Sequence, residues 1–215
     1  TAGESQIIVV DNGEDLEDSK WFLEKVHNKE IACYIRNRNN MSFGYARNQG
    51  LKLCSGNYIV ISDNDILYEQ GWLEECLNVF EEYPNEKIIV SHLDYPTGGL
   101  REKYSRGYLG KYKLNMRAGS NCFMMKRKTY EEIGEFQIHR VAGTKFTDAL
   151  VRNGYLTAVI STGKITDMGF RRGYNLNEEI KNSPDDVAKV LVDDKPMEEV
   201  KKEEEETYDL ENFSV

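Results

Sequence analysis

Two carboxylates one residue apart, Asp63 and Asp65 with Asn64 between them, follow the apolar run at residues 57–62. Oxygen ligands held at the end of a buried strand suit a hard divalent cation, Mn²⁺ or Mg²⁺, with phosphate oxygens completing the shell. The same residues could instead form an Asp-rich turn that caps a helix starting near Glu69. A second polar cluster, Asp11-Asn12-Gly13, follows another apolar run at residues 6–10. Asp-x-Asp alone is a weak signal, so the elements around it decide its meaning.

Short β-type runs occur at residues 6–10, 31–35, 57–62, 87–91, 120–126 and 156–161. Several are continuously apolar, as strands covered on both faces are. Helical patterns lie between them at residues 15–28, 42–54 and 69–83, the last with Trp72, Leu73, Cys76, Leu77, Val79, Phe80 and Tyr83 on one stripe. Ser42 is a candidate cap for the second helix, which ends near Gly56. Alternating strands and helices predict an α/β fold with a mostly parallel, Rossmann-like sheet and helices on both faces. Ligands bind such sheets beyond the carboxyl ends of the strands, where both acidic clusters fall.

The order and spacing of three motifs resemble family 2 glycosyltransferases of the GT-A fold over roughly residues 6–80. They are Ile7-Ile8-Val9-Val10-Asp11-Asn12-Gly13, then residues 40–50 ending Ala46-Arg47-Asn48-Gln49-Gly50, then residues 55–65 ending Ser62-Asp63-Asn64-Asp65. Residues 119–127 and Ile133-Gly134-Glu135-Phe136 resemble the family's second half more loosely. The resemblance implies a nucleotide-sugar pocket at Asp11, Arg47, Asn48, Asp63 and Asn64. It makes Asp65 the metal ligand that bridges to the diphosphate, with Asp63 facing ribose or metal. A cation there would neutralise charge building on the departing nucleoside diphosphate.

Three departures from the family pattern stand out. Its first strand and Thr-Tyr-Asn type loop have no counterpart from Thr1 onward. The acidic pair that supplies the catalytic base has no clean match in residues 143–148, where Asp148 is the only carboxylate. Asp148 follows Gly143-Thr144, so a first-turn position in the next helix is expected. Where many members place a metal-binding histidine, this chain has Ile165-Thr166-Asp167-Met168-Gly169, and Asp167 is the residue that would replace it. Arg171 and Arg172, in the glycine-flanked loop that follows, could close over a diphosphate or form a plain solvated loop. Of the histidines, His27 reads as a surface residue at a helix end, while His92 and His139 could line the site or serve structure.

Composition narrows the alternatives. The chain has 215 residues, 28 basic and 37 acidic, for a net charge of −9. Residues 198–215 alone carry −6, so the body is only mildly acidic and has no basic stripe for nucleic acid. No apolar run reaches the roughly 20 residues of a membrane-spanning helix, and residues 1–6 do not read as a secretory signal, so a cytoplasmic location is expected. Residues 1–175 are expected to form one catalytic domain, and residues 176–215 a charged tail or linker towards further domains. Cys33, Cys54, Cys76 and Cys122 have no CxxC spacing, which disfavours structural zinc and suits reduced thiols. The leading function is metal-dependent transfer of a sugar from a nucleoside diphosphate to an acceptor hydroxyl, carbohydrate or other, with inversion as in the resembled family. A catalytically degenerate nucleotide-sugar binding module and a sugar-nucleotide pyrophosphorylase are the alternatives, and the second lacks the glycine-rich basic loop it would need.

Overall fold

A computed structural model describes residues 5–13, 16–92, 104–116, 118–119, 121–138 and 142–168. The expected tail at residues 176–215, Arg171, Arg172 and His139 lie outside the described residues. The elements run β1 (Ile8–Asp11), α1 (Leu16–His27), β2 (Cys33–Arg36), α2 (Phe43–Leu53), β3 (Tyr58–Ser62), β4 (Ile66–Tyr68), α3 (Trp72–Glu82) and β5 (Ile88–Ser91). They continue with β6 (Ser105–Leu109), β7 (Tyr112–Asn115), β8 (Cys122–Lys126), α4 (Arg127–Ile133), α5 (Ala142–Arg152), β9 (Leu156–Val159) and β10 (Ile165–Asp167).

Every strand and helix read from the apolar periodicity is present, but the sheet is not mostly parallel. Its largest part has six strands in the order β3-β8-β5-β9-β7-β6. Within it only β5 and β9 run parallel; β8 lies antiparallel to both β3 and β5, and β7 is antiparallel to β9 and β6. The cause is the connections. Strands β6 and β7 are joined by Gly110-Lys111 alone, and a two-residue link can only make an antiparallel pair, whereas a parallel pair needs a long crossover. The parallel pairs β1–β2 and β5–β9 have helices in the chain between their strands. Strands β1 and β2 form their own two-stranded sheet, and β4 pairs antiparallel with β10 in another.

The six-stranded sheet is covered on both faces. Alternation along β3, β5 and β8 sends Ile59, Ile61, Ile89, Phe123 and Met125 to a core with Leu51 of α2 and Phe146 and Leu150 of α5. The intervening Ile88, Val90 and Met124 pack with Cys76, Val79 and Phe80 of α3. The helical stripe on α3 is therefore core, as its spacing predicts. Three aromatic rings tie α5 to the sheet, with Phe136 and Phe146 stacked at 4.0 Å and Phe146 over Phe123 at 6.0 Å. Ser42 caps α2 by accepting the Tyr45 N–H at 3.5 Å. Helix α2 ends at Leu53 with Cys54 as its C-cap, before Gly56.

Candidate active site

The Asp63-Asn64-Asp65 segment is not a helix cap. Strand β4 separates it from α3, whose N-cap is Gly71 at φ +84°, a conformation that favours glycine. The segment instead leaves the end of β3, and the β4–β10 ladder turns a third carboxylate towards it. Asp167 stands opposite Ile66, and the Met168 N–H donates to the Asp65 carbonyl at 2.8 Å. Asp167 is thus the last residue of β10, a strand not among the β-type runs read from the sequence. Its side chain accepts a hydrogen bond from the Asn121 amide, while the Asn121 carbonyl accepts the Asp63 N–H at 2.8 Å.

Arg47 reaches this end from α2. Its Nη2 lies 2.6 Å from Asp63 Oδ1, and the guanidinium packs over Phe43 and Phe136 at 4.8 and 5.4 Å. Nη1 is buried without a partner among the described residues. Burial pushes the Asp63 carboxyl above its usual range; the charges of Asp65 and Asp167 add to the shift, and Arg47 opposes it. Among the described residues no three His, Cys, Asp or Glu side chains close into a ready metal cage. Asp63, Asp65 and Asp167 form instead an open, oxygen-only set in which the charges of the last two act on Asp63. That chemistry fits a hard divalent cation that takes its remaining ligands from elsewhere. Asn64 is exposed between the two aspartates.

Asp11 is held by its own turn. Its Oδ1 accepts the Gly13 N–H at 2.8 Å and its Oδ2 accepts the Tyr34 hydroxyl at 2.7 Å, with Arg36 Nε 3.4 Å away. Gly13 has φ +98°, and a Cβ there would stand 2.2 Å from the Asn37 carbonyl, so the turn requires glycine. Asn12 accepts from Asn37 at 2.9 Å and donates to the Ser42 carbonyl at 3.1 Å, bracing a non-glycine residue at φ 74°. Tyr34, Arg36 and Asn121 were not singled out for the site from sequence.

Asn48 faces away from solvent. It is 4% exposed, and both ends of its amide bind the Phe136 backbone, donating to the carbonyl at 2.7 Å and accepting the N–H at 2.8 Å. Asp148 is not where the sequence reading expected it. Helix α5 already includes Ala142, so Asp148 lies in its middle, and no acid occupies the first turn. A favourable helix-dipole position therefore does not apply to it. Asp148 is half-buried beside the buried Phe146 and Thr147.

Beneath the acidic end, His92, Cys76, Cys122 and Trp72 line a cavity of about 10 Å³, room for one water molecule. Burial pulls the His92 pKa down and pushes the Cys122 thiol up to about 11, so both are neutral near pH 7. His27 is exposed at the end of α1, as expected. All four cysteines are free, two of them buried and two half-buried. No described helix is long and apolar enough to cross a membrane.

A mixed sheet between helical layers, with acids gathered at one strand end, is the fold of the GT-A glycosyltransferases. A mannosyltransferase from Pyrobaculum calidifontis, solved with GDP-Man and Mn²⁺, is similar at TM-score 0.62 and 17% identity over 79% of this chain and 49% of that one. GalNAc-T7, solved with UDP, GalNAc and Mn²⁺, is similar at TM-score 0.54 and 14% identity over 71% of this chain and 36% of that one. The Glycosyl transferase family 2 model matches residues 1–143, and the chain belongs to that family. The minor teichoic acid biosynthesis protein GgaB of Bacillus subtilis is 31% identical over 116 residues, 53% of this chain and 12% of that protein.

Replacing Asn48 with Ala leaves the Phe136 N–H and C=O buried without partners. We expect a loss of about 2–4 kcal/mol, a fall in Tm of roughly 5–15 °C, read by thermal unfolding. A fall under about 2 °C would show that the clamp does not hold α2 to this segment.

Proposed function

We propose that this domain transfers a sugar from a nucleoside diphosphate-sugar to an acceptor hydroxyl, with inversion and with help from Mn²⁺ or Mg²⁺. The observation that carries this reading is the β4–β10 pairing, which sets Asp167 beside the Asp63-Asn64-Asp65 segment. An open oxygen site of that kind suits a cation shared with a diphosphate. The neighbouring structures with Mn²⁺ and a nucleotide or nucleotide sugar support the same chemistry. Asp65 and Asp167 would hold the cation, with Asp63 beside them. When bound, it would neutralise charge on the departing diphosphate.

The protein's own groups then have distinct tasks. Arg47 holds the Asp63 carboxylate in one orientation. Asp11, fixed by Gly13, Tyr34 and Arg36, would receive the base or ribose. Asn64, exposed between the aspartates, would face the donor as well, while Asn48 serves the pocket through the Phe136 backbone. In the transfer, the acceptor oxygen bonds to the anomeric carbon as the bond from that carbon to the phosphate oxygen breaks. The acceptor proton passes to a carboxylate, for which we assign Asp148, and the nucleoside diphosphate leaves.

Asp65→Ala should abolish Mn²⁺-dependent turnover of nucleotide sugars while leaving the melting temperature near that of the wild type. Unchanged turnover would remove Asp65 from the site. Asp148→Asn should retain donor binding and lower turnover by about a hundredfold or more. A loss smaller than about threefold would place the base elsewhere, with Glu135 tested next, then His139 and Asp94, which both lie outside the described residues.

A further inference from the structure

Asn121 has no role in the chemistry proposed above, yet it joins the two strand ends that carry the acids. Strand β8 begins at the next residue, and the register Ser62↔Cys122 sets Asn121 opposite Asp63. Its carbonyl accepts the Asp63 N–H at 2.8 Å, and its side-chain nitrogen donates to Asp167 Oδ2. These strands belong to different sheets. β3 and β8 lie in the six-stranded one, whereas Asp167 ends β10 in the two-stranded one.

The chemistry of this bond is one-directional. An ionised carboxylate can only accept, so the amide must present its NH₂ to Asp167 and turn its oxygen away. That Oδ1 is buried without a partner among the described residues, so the orientation leaves one polar atom unsatisfied. One oxygen of Asp167 is thereby fixed in direction before any ligand arrives. Groups that orient a metal-binding carboxylate in this way contribute about 10–100-fold to metal affinity.

From this we infer that Asn121 is a positioning residue: it aims the Asp167 carboxylate at the cation shared with Asp65. The inference rests on the metal reading of the site given above. It is not a catalytic role, because Asn121 reaches the reaction only through Asp167 and the backbone of Asp63.

The test is Mn²⁺ titration of the whole chain, with free Mn²⁺ read by electron paramagnetic resonance. The variants are Asn121→Ala, Asp167→Ala, Asp65→Ala and the double variant of the first two, each checked by its melting temperature. Asn121→Ser replaces Asn121→Ala if the latter melts below the titration temperature. Asn121→Ala should weaken Mn²⁺ binding about tenfold or more, and should cause no further loss when Asp167 is already Ala. A change within twofold in Asn121→Ala, while Asp65→Ala and Asp167→Ala both bind weakly, overturns the positioning role alone. The same loss in the presence and absence of Asp167 also overturns it, since Asn121 would then act on stability and not through that carboxylate. Unaltered affinity in Asp65→Ala and Asp167→Ala removes the metal reading and the positioning role together.

Discussion

Like charge gathered at one strand end is the constraint on which the acidic site is built. Asp63, Asp65 and Asp167 stand close enough that two of them, together with burial, raise the pKa of the third. Carboxylates repel one another unless cations or hydrogen-bond donors offset them. The fold supplies one of each within the protein: the Arg47 guanidinium at Asp63 and the Asn121 amide at Asp167. Arg47 is confined between Phe43 and Phe136, so it provides charge without swinging freely into the pocket.

Much of the surrounding packing serves to keep these groups in place. The Phe136 segment carries one ring over Arg47 and another contact to Phe146 of α5, and Asn48 clamps its backbone to α2. Loss of that clamp would be felt at Arg47 and then at Asp63. On the far side of the sheet β4 and β10 form the only ladder described for either strand, and it is short. The side-chain bond from Asn121 therefore reinforces an element whose backbone pairing alone is slight. The Asp11 turn is built differently, from a glycine, a tyrosine and an arginine that leave the carboxylate braced on both oxygens.

The Asp63-Asn64-Asp65 segment and Asp11 could be read from the sequence because each follows a continuous apolar run, and strand ends in α/β folds are where ligands bind. Strand directions could not be read in the same way. Apolar periodicity reports burial and not polarity of the chain, so β8 running against β3 and β5 was invisible, as was the hairpin formed by β6 and β7. Strand β10 is too short for periodicity to reveal it, and Asp167 was reached only through the family resemblance, at the position where many members carry a histidine. The position of Asp148 was misread because Gly143 and Thr144 look like a turn but lie within α5. Tyr34, Arg36 and Asn121 belong to the polar positions of strands and their ends, where sequence alone does not distinguish a surface residue from a partner to an acid.

We propose that the acids at the ends of β3 and β10 take a divalent cation together with a nucleoside diphosphate. Calorimetric titration of the wild-type chain with UDP, GDP, ADP, CDP and dTDP, each with and without Mn²⁺, tests it most directly. Saturable binding of at least one of these is expected, strengthening tenfold or more when Mn²⁺ is present, a gain of about 1.4 kcal/mol. Binding of none of them with Mn²⁺, or equal affinity with and without the cation, would contradict it.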